Sequence, residues 1–139
     1  SMQLTLEIER EEDGRWLAEV PQLAGVLAYG STSAEAMSRA EILALRVLAE
    51  RLEHGEASPV PINFVLPLRH ESVAFCSGPG TLQALLRIGW QIKRQSGSHR
   101  TLSRNGCLDY VFSFHDGEEI GPRMLARIAK HTGLSPRDL

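Results

Sequence analysis

No apolar run in the 139 residues approaches the roughly 18 needed to cross a bilayer. No basic segment followed by an apolar core opens the chain, so no secretory signal is read. Cysteine is scarce. Cys76 and Cys107 stand far apart and form no CxxC pair, which reads as two reduced thiols rather than a disulfide scaffold. These absences place the chain in the cytoplasm. A zinc site drawn from Cys76, His99, Cys107 and His115 lacks any metal-ligand spacing, so no metal and no other cofactor is expected. There is no internal repeat and no low-complexity segment. What remains is 42% hydrophobic and 23% charged, ordinary for a soluble globular protein and enough for one domain or two very small ones.

The net charge of −2 conceals an asymmetry. Residues 1–79 carry 6 Lys+Arg and 12 Asp+Glu, a net of −6, whereas residues 80–139 carry 9 and 5, a net of +4. An acidic half beside a basic half implies two units with different partners, and an attraction between them.

In the first half, Leu4, Leu6 and Ile8 alternate with polar residues over Gln3–Arg10, which predicts a strand with one buried face. Glu11–Gly14 is a turn, and Arg15–Val20 returns as a second strand. Pro21 stops it, and Val26–Tyr29 is a short third strand. Thr32-Ser33-Ala34-Glu35 is a capping box. A long helix follows over 33–54, with Ala36, Ala40, Leu43, Ala44, Val47 and Leu48 on one stripe and Gly55 as its stop. Ile62–Leu66 closes a β-β-β-α-β unit. The Pro-, Gly- and Ser-bearing stretch 67–79 reads as a connection, with a further strand at Ser72–Phe75.

The second half reads α-β-β-β-α. Thr81–Ile88 is a short amphipathic helix closed by Gly89. Trp90–Arg94 and Arg100–Arg104 form a hairpin around Gly97, Asn105-Gly106 is a tight turn, and Cys107–Phe114 is the third strand. His115–Ile120 is a loop, and Gly121-Pro122 opens a last helix that ends at Gly133. Trp16 and Trp90 read as core residues.

The hairpin turn is the chemical centre. His99 follows Gly97-Ser98 and has four cations within six residues: Lys93, Arg94, Arg100 and Arg104. A titratable imidazole on a basic hairpin is suited to holding and attacking a phosphodiester. The same residues also fit a solvated basic hairpin with an incidental histidine.

Both halves resemble known families. Residues 2–66 resemble the HicB antitoxin family through the two opening strands, Pro21-Gln22-Leu23-Ala24-Gly25, and Gly30-Ser31-Thr32-Ser33-Ala34-Glu35-Ala36 at the head of the long helix. That resemblance implies a partial ribonuclease-H-like fold that neutralises a toxin. No DNA-binding segment of the kind many members add is read here, so DNA is not an expected partner. Residues 77–139 resemble the HicA toxin family. The carriers are Leu82-Gln83-Ala84-Leu85-Leu86-Arg87-Ile88-Gly89-Trp90, Arg94-Gln95-Ser96-Gly97-Ser98-His99, and the run from Gly117 to Ser135. That resemblance implies a double-stranded-RNA-binding-domain-like fold, cleavage of messenger RNA, and a functional histidine at His99. Toxin and antitoxin are normally separate chains; here, with residues 67–76 as linker, they look fused.

The resulting expectation is an α+β protein in which the basic half is a metal-independent endoribonuclease. His99 serves as general base, and Lys93, Arg94, Ser98, Arg100 and Arg104 hold the RNA. The nearby cations keep the imidazole neutral. His115 reads either as a second imidazole or as a merely exposed loop histidine, and Arg127 and Lys130 either extend an RNA track or form a solvated helix face. The acidic half covers His99, within a chain or across a homo-oligomer. The alternative is a catalytically silent remnant that binds RNA or protein.

Overall fold

The computed structural model describes residues 1–66, 80–115 and 117–139. The expected linker at 67–76, the strand read at Ser72–Phe75 and Cys76 lie outside the described residues. The chain is α+β, in the order β1 (Met2–Thr5), β2 (Glu7–Arg10), β3 (Trp16–Glu19), β4 (Leu27–Gly30), α1 (Ser33–Glu53), β5 (Ile62–Val65), α2 (Thr81–Arg87), β6 (Gln91–Ser96), β7 (His99–Ser103), β8 (Tyr110–Phe112), α3 (Pro122–Thr132) and a closing 3₁₀ turn, Pro136–Asp138. No described helix is long and apolar enough to cross a membrane.

The opening strand is divided. β1 pairs in parallel with β5, whereas β2 pairs antiparallel with β3, which in turn pairs with β4. At the break the Thr5 amide bonds the Gln22 side chain at 3.0 Å, and the Leu6 amide bonds Val65 O at 2.9 Å. A side chain thus stands in for a ladder partner where the chain changes sheets. α1 begins as expected: Thr32 accepts from the Glu35 amide at 3.1 Å. The glutamate reaches back one residue further than a capping box does, to the Ser31 amide at 3.0 Å.

The second half is α-β-β-β-α as read, with its third strand shortened from Cys107–Phe114 to Tyr110–Phe112. The Asn105-Gly106 turn closes through Cys107 N to Arg104 O at 3.0 Å, and Leu108 is left 86% exposed. At the other end Ser113 turns its hydroxyl to Leu27 O, 3.4 Å away.

Both faces of β3 and β4 are covered. Ala18 and Ala28 face α1, where the small Ala36, Ala40 and Ala44 let the helix lie close to the sheet. Leu17, Leu27 and Tyr29 point the other way and share a core with Leu85, Trp90, Leu102, Tyr110, Phe112 and Met124 of the second half. Trp90 is core, as read, and its indole N–H donates to Thr132 O at 3.1 Å. Trp16 is only half-buried and stacks under Arg10. The two halves also share a backbone bond, Val111 N to Ala24 O at 2.9 Å.

Polar contacts run along this seam. Glu11, buried between the halves, accepts from Tyr29 OH at 3.1 Å and from the first amides of α3, Arg123 N at 3.3 Å and Met124 N at 3.2 Å. α3 has no side-chain cap of its own, so a carboxylate from the first half caps it and complements its dipole. Arg127, expected on an RNA track, instead pairs with Glu7 at 2.9 Å and with Glu19, beside Glu9 at 3.6 Å.

Gly25 sits where the seam is tightest. Its φ is +89°, and a Cβ there would lie 1.9 Å from Val111 O. Gly55 is also left-handed, at +69°, but a Cβ there meets nothing within 4 Å. Gly55→Ala should therefore cost about 1 kcal/mol, the backbone strain alone, whereas Gly25→Ala should cost about 3 kcal/mol because the halves must part. Urea unfolding of the two variants checks this; equal losses would mean the seam is loose at Gly25.

Candidate functional site

The hairpin β6–β7 turns through Gly97 and Ser98, with Gly97 at φ 59°. Cross-strand partners share a face of a sheet and neighbours along a strand alternate. Ser96 pairs with His99 and Arg94 with Thr101, so these four side chains lie on one face. Leu102 and Tyr110 lie on the opposite face, in the core under α2 and α3. The His99 face is turned toward α1.

Here α1 contributes a residue that the sequence reading did not single out. Glu50 is 5% exposed and His99 is 3% exposed. The imidazole Nε2 donates to Glu50 Oε2 at 2.6 Å. The other carboxylate oxygen takes Arg94 Nε in a close ion pair and lies 3.5 Å from the Thr101 hydroxyl. Arg94 then forks onto Glu56, with contacts of 2.8 and 2.7 Å. Lys93, displaced by a register shift between Ile92 and Arg94, reaches Glu56 at 3.0 Å and Asp109 at 2.8 Å. The nearest ionic partner of His99 is thus a carboxylate, where the sequence suggested a ring of cations.

The six expected site residues separate. Arg94, Lys93 and His99 are drawn into one network with Glu50 and Glu56. Ser98 is exposed at the turn and lines an open groove with Arg46, Ala49 and Glu53 of α1. Arg100 lies on the opposite face of β7 from His99, and Arg104 sits beside Gly89 at the far end of the hairpin. Neither makes an ion pair with a described residue. His115 is exposed and lies 3.5 Å from Glu118, away from this face. Among the described residues, no group of three or more His, Cys, Asp or Glu is arranged to hold a metal ion.

One signal for Glu50 was in the sequence. It falls one turn after Val47 on the edge of the buried stripe of α1, an unfavourable place for a charge unless another element supplies its partner.

The electrostatics follow from this pairing. Burial alone would push the Glu50 carboxyl up, but hydrogen bonds from His99 and Arg94 outweigh it and hold the carboxyl below its ordinary value of 4.5. Hydrogen bonds from Arg94, then from Lys93, hold Glu56 at about 2. Carboxyls depressed by folding stabilise the fold above their unfolded value, and that stability is lost as pH falls through the folded value. The network's contribution should therefore be complete above pH 4.5 and vanish toward pH 2. Burial pushes Glu19 upward instead, so the useful comparison is with a variant. The gap in urea midpoint between wild type and Glu50→Gln/Glu56→Gln should close as pH falls from 5 to about 2; a gap that stays constant would contradict the pairing.

No curated protein and no solved structure matches the chain. Residues 81–134, which run from the first turn of α2 to just beyond α3 and include the hairpin with His99, match the family model described as the HicA toxin of bacterial toxin-antitoxin.

Proposed function

We propose that the chain is a fused toxin–antitoxin protein, with residues 77–139 a HicA-like endoribonuclease of messenger RNA and residues 2–66 a HicB-like inhibitor in the same polypeptide. The observation that carries this reading is the placement of Glu50 and Glu56 on His99, Arg94 and Lys93. Two carboxylates of the acidic half stand where an RNA phosphate would be held. The α-β-β-β-α order of the second half supports a double-stranded-RNA-binding-domain-like unit. The β5-β1 and β2-β3-β4 sheets with α1 on one face support a partial ribonuclease-H-like unit.

With the network open, His99 Nε2 takes the proton from a ribose 2′-hydroxyl as the oxygen attacks the adjacent phosphorus and the 5′-oxygen leaves. Arg94, planar and five-donor, is the residue best suited to grip two phosphate oxygens at once. Lys93 adds a point charge beside it, and the Ser98 hydroxyl donates from the turn. Arg100 and Arg104 contact RNA along other parts of the strand rather than at the scissile phosphate.

With the network closed, the base has its reactive nitrogen on Glu50, and the phosphate grip is filled. Inhibition of this kind needs no conformational change in the second half, only its occupation. Residues 80–139 bury their core in part against β3 and β4, so the test is best made on the full chain.

Wild type should leave RNA intact. Glu50→Gln/Glu56→Gln should cut it at least about tenfold faster, and adding His99→Ala should remove about a hundredfold or more of that gain. A chelator should leave the rate unchanged. If the opened variant binds RNA without cutting, the chain is a binding remnant; if it neither binds nor cuts, the proposal fails.

A further inference from the structure

α1 is apolar on two opposite sides. Its inner side packs on the sheet through Ala36, Ala40, Ala44 and Val47. Its outer side carries Ile42, Leu45, Ala49 and Leu52, in steps of three, four and three, and Ile42, Leu45 and Leu52 remain 48%, 47% and 44% exposed. Spacing of this kind aligns side chains in one seam along a helix, and it is the seam with which one helix packs on another. Single exposed apolar residues need no explanation, but a four-residue seam on a 21-residue helix has the form of a contact surface.

The flank of the seam selects the occupant. Arg46 and Glu53 lie two turns apart on the same side, three residues before and four after Ala49. Neither makes an ion pair with a described residue. If a second α1 runs antiparallel across a two-fold axis at Ala49, Leu45 meets Leu52 of the second copy, and the two small Ala49 side chains allow close approach. Arg46 then faces the second copy's Glu53, and Glu53 its Arg46. One surface supplies both halves of the pattern, as an isologous contact requires. We infer that this face of α1 is a homodimer interface, with a second copy of the chain packed antiparallel across Ala49.

The contact has a consequence for the site. Arg46, Ala49 and Glu53 also line the groove beside Ser98 and His99. A second copy on the seam therefore lies across the mouth of that groove and narrows the approach to His99 from the α1 side. The interface itself stands on the geometry of α1; only this consequence rests on the toxin–antitoxin reading.

Sedimentation velocity of the full chain over a concentration series decides the matter. The expected species is a dimer of the 15.4 kDa chain. Leu45→Glu should weaken it about tenfold or more, and so should Arg46→Glu or Glu53→Arg alone. The double swap Arg46→Glu/Glu53→Arg should restore association, which a merely structural effect would not do. Circular dichroism confirms that the variants fold; should Leu45→Glu fail to fold, the exposed charge swap still decides. The inference is overturned if the wild type stays monomeric to about 200 µM, if Leu45→Glu folds and dimerises normally, or if the double swap does not recover what each single change lost. The RNA assay reads the toxin–antitoxin proposal separately, so either can fail without the other.

Discussion

A carboxylate removed from water must be paired, and Glu50 is the residue on which that requirement falls most heavily. It has lost nearly all its solvent and accepts from an imidazole and a guanidinium at once. Desolvating a charge costs several kcal/mol, and only close, multiple hydrogen bonds offset it. Glu50 comes from the last turn of a helix in the first half, and both its donors come from one hairpin in the second. Satisfying it therefore fixes the hairpin against α1. Removing His99 or Arg94 alone would leave a buried charge short of a partner; replacing the whole network by apolar residues would be far less damaging.

The rest of the seam repeats this logic with different chemistry. Glu11 finds the free amides at the start of α3. Glu7 and Glu19 find Arg127. In each case the acid comes from the first half and its partner from the second, so the charge asymmetry between the halves becomes the contact between them. Between these anchors the apolar residues of β3 and β4 complete a core with the second half. Ion pairs of this type set register and orientation more than they add stability, and the shared core supplies the larger driving force.

Much of the local structure was legible because it depends on local rules. The cap of α1, its stop at Gly55, the hairpin at Gly97 and the last helix between Pro122 and Gly133 all follow from residue chemistry within a few positions. What the sequence could not show was which polar faces meet each other. Glu7, Glu9 and Glu19 have the alternation of a solvent-facing strand edge, and Arg127 has the spacing of an exposed helix face. Periodicity distinguishes apolar from polar, not water from a complementary partner. For the same reason His99 was legible as a singular residue, while Glu50, which defines its surroundings, lies 49 positions earlier. Arg100 was misjudged as a neighbour of His99 by sequence distance; adjacent residues of a strand point to opposite faces, and it is two-residue steps that keep side chains together.

In the toxin–antitoxin reading proposed above, inhibitor and enzyme share one chain, and that changes the energetics of control. A separate inhibitor leaves its target as its concentration falls through the dissociation constant. A tethered one faces its target at an effective concentration on the order of millimolar, whatever the abundance of the protein. On that reading, RNA at lower concentration would compete poorly for Arg94 and His99 against carboxylates that are already in position. Dilution or loss of an inhibitor chain cannot open such a site. Opening requires that the network itself be weakened, by a change in the charge of its members or by a ligand that binds the open form better than the closed one. The seam sets the limit on either route. If Glu11, Glu7 and Glu19 keep their partners while Glu50 loses its own, the hairpin can be exposed without parting the halves, and the shared core survives. Local release at the α1–hairpin contact is therefore the least costly path to an open site in this fold, and separation of the two halves the most costly.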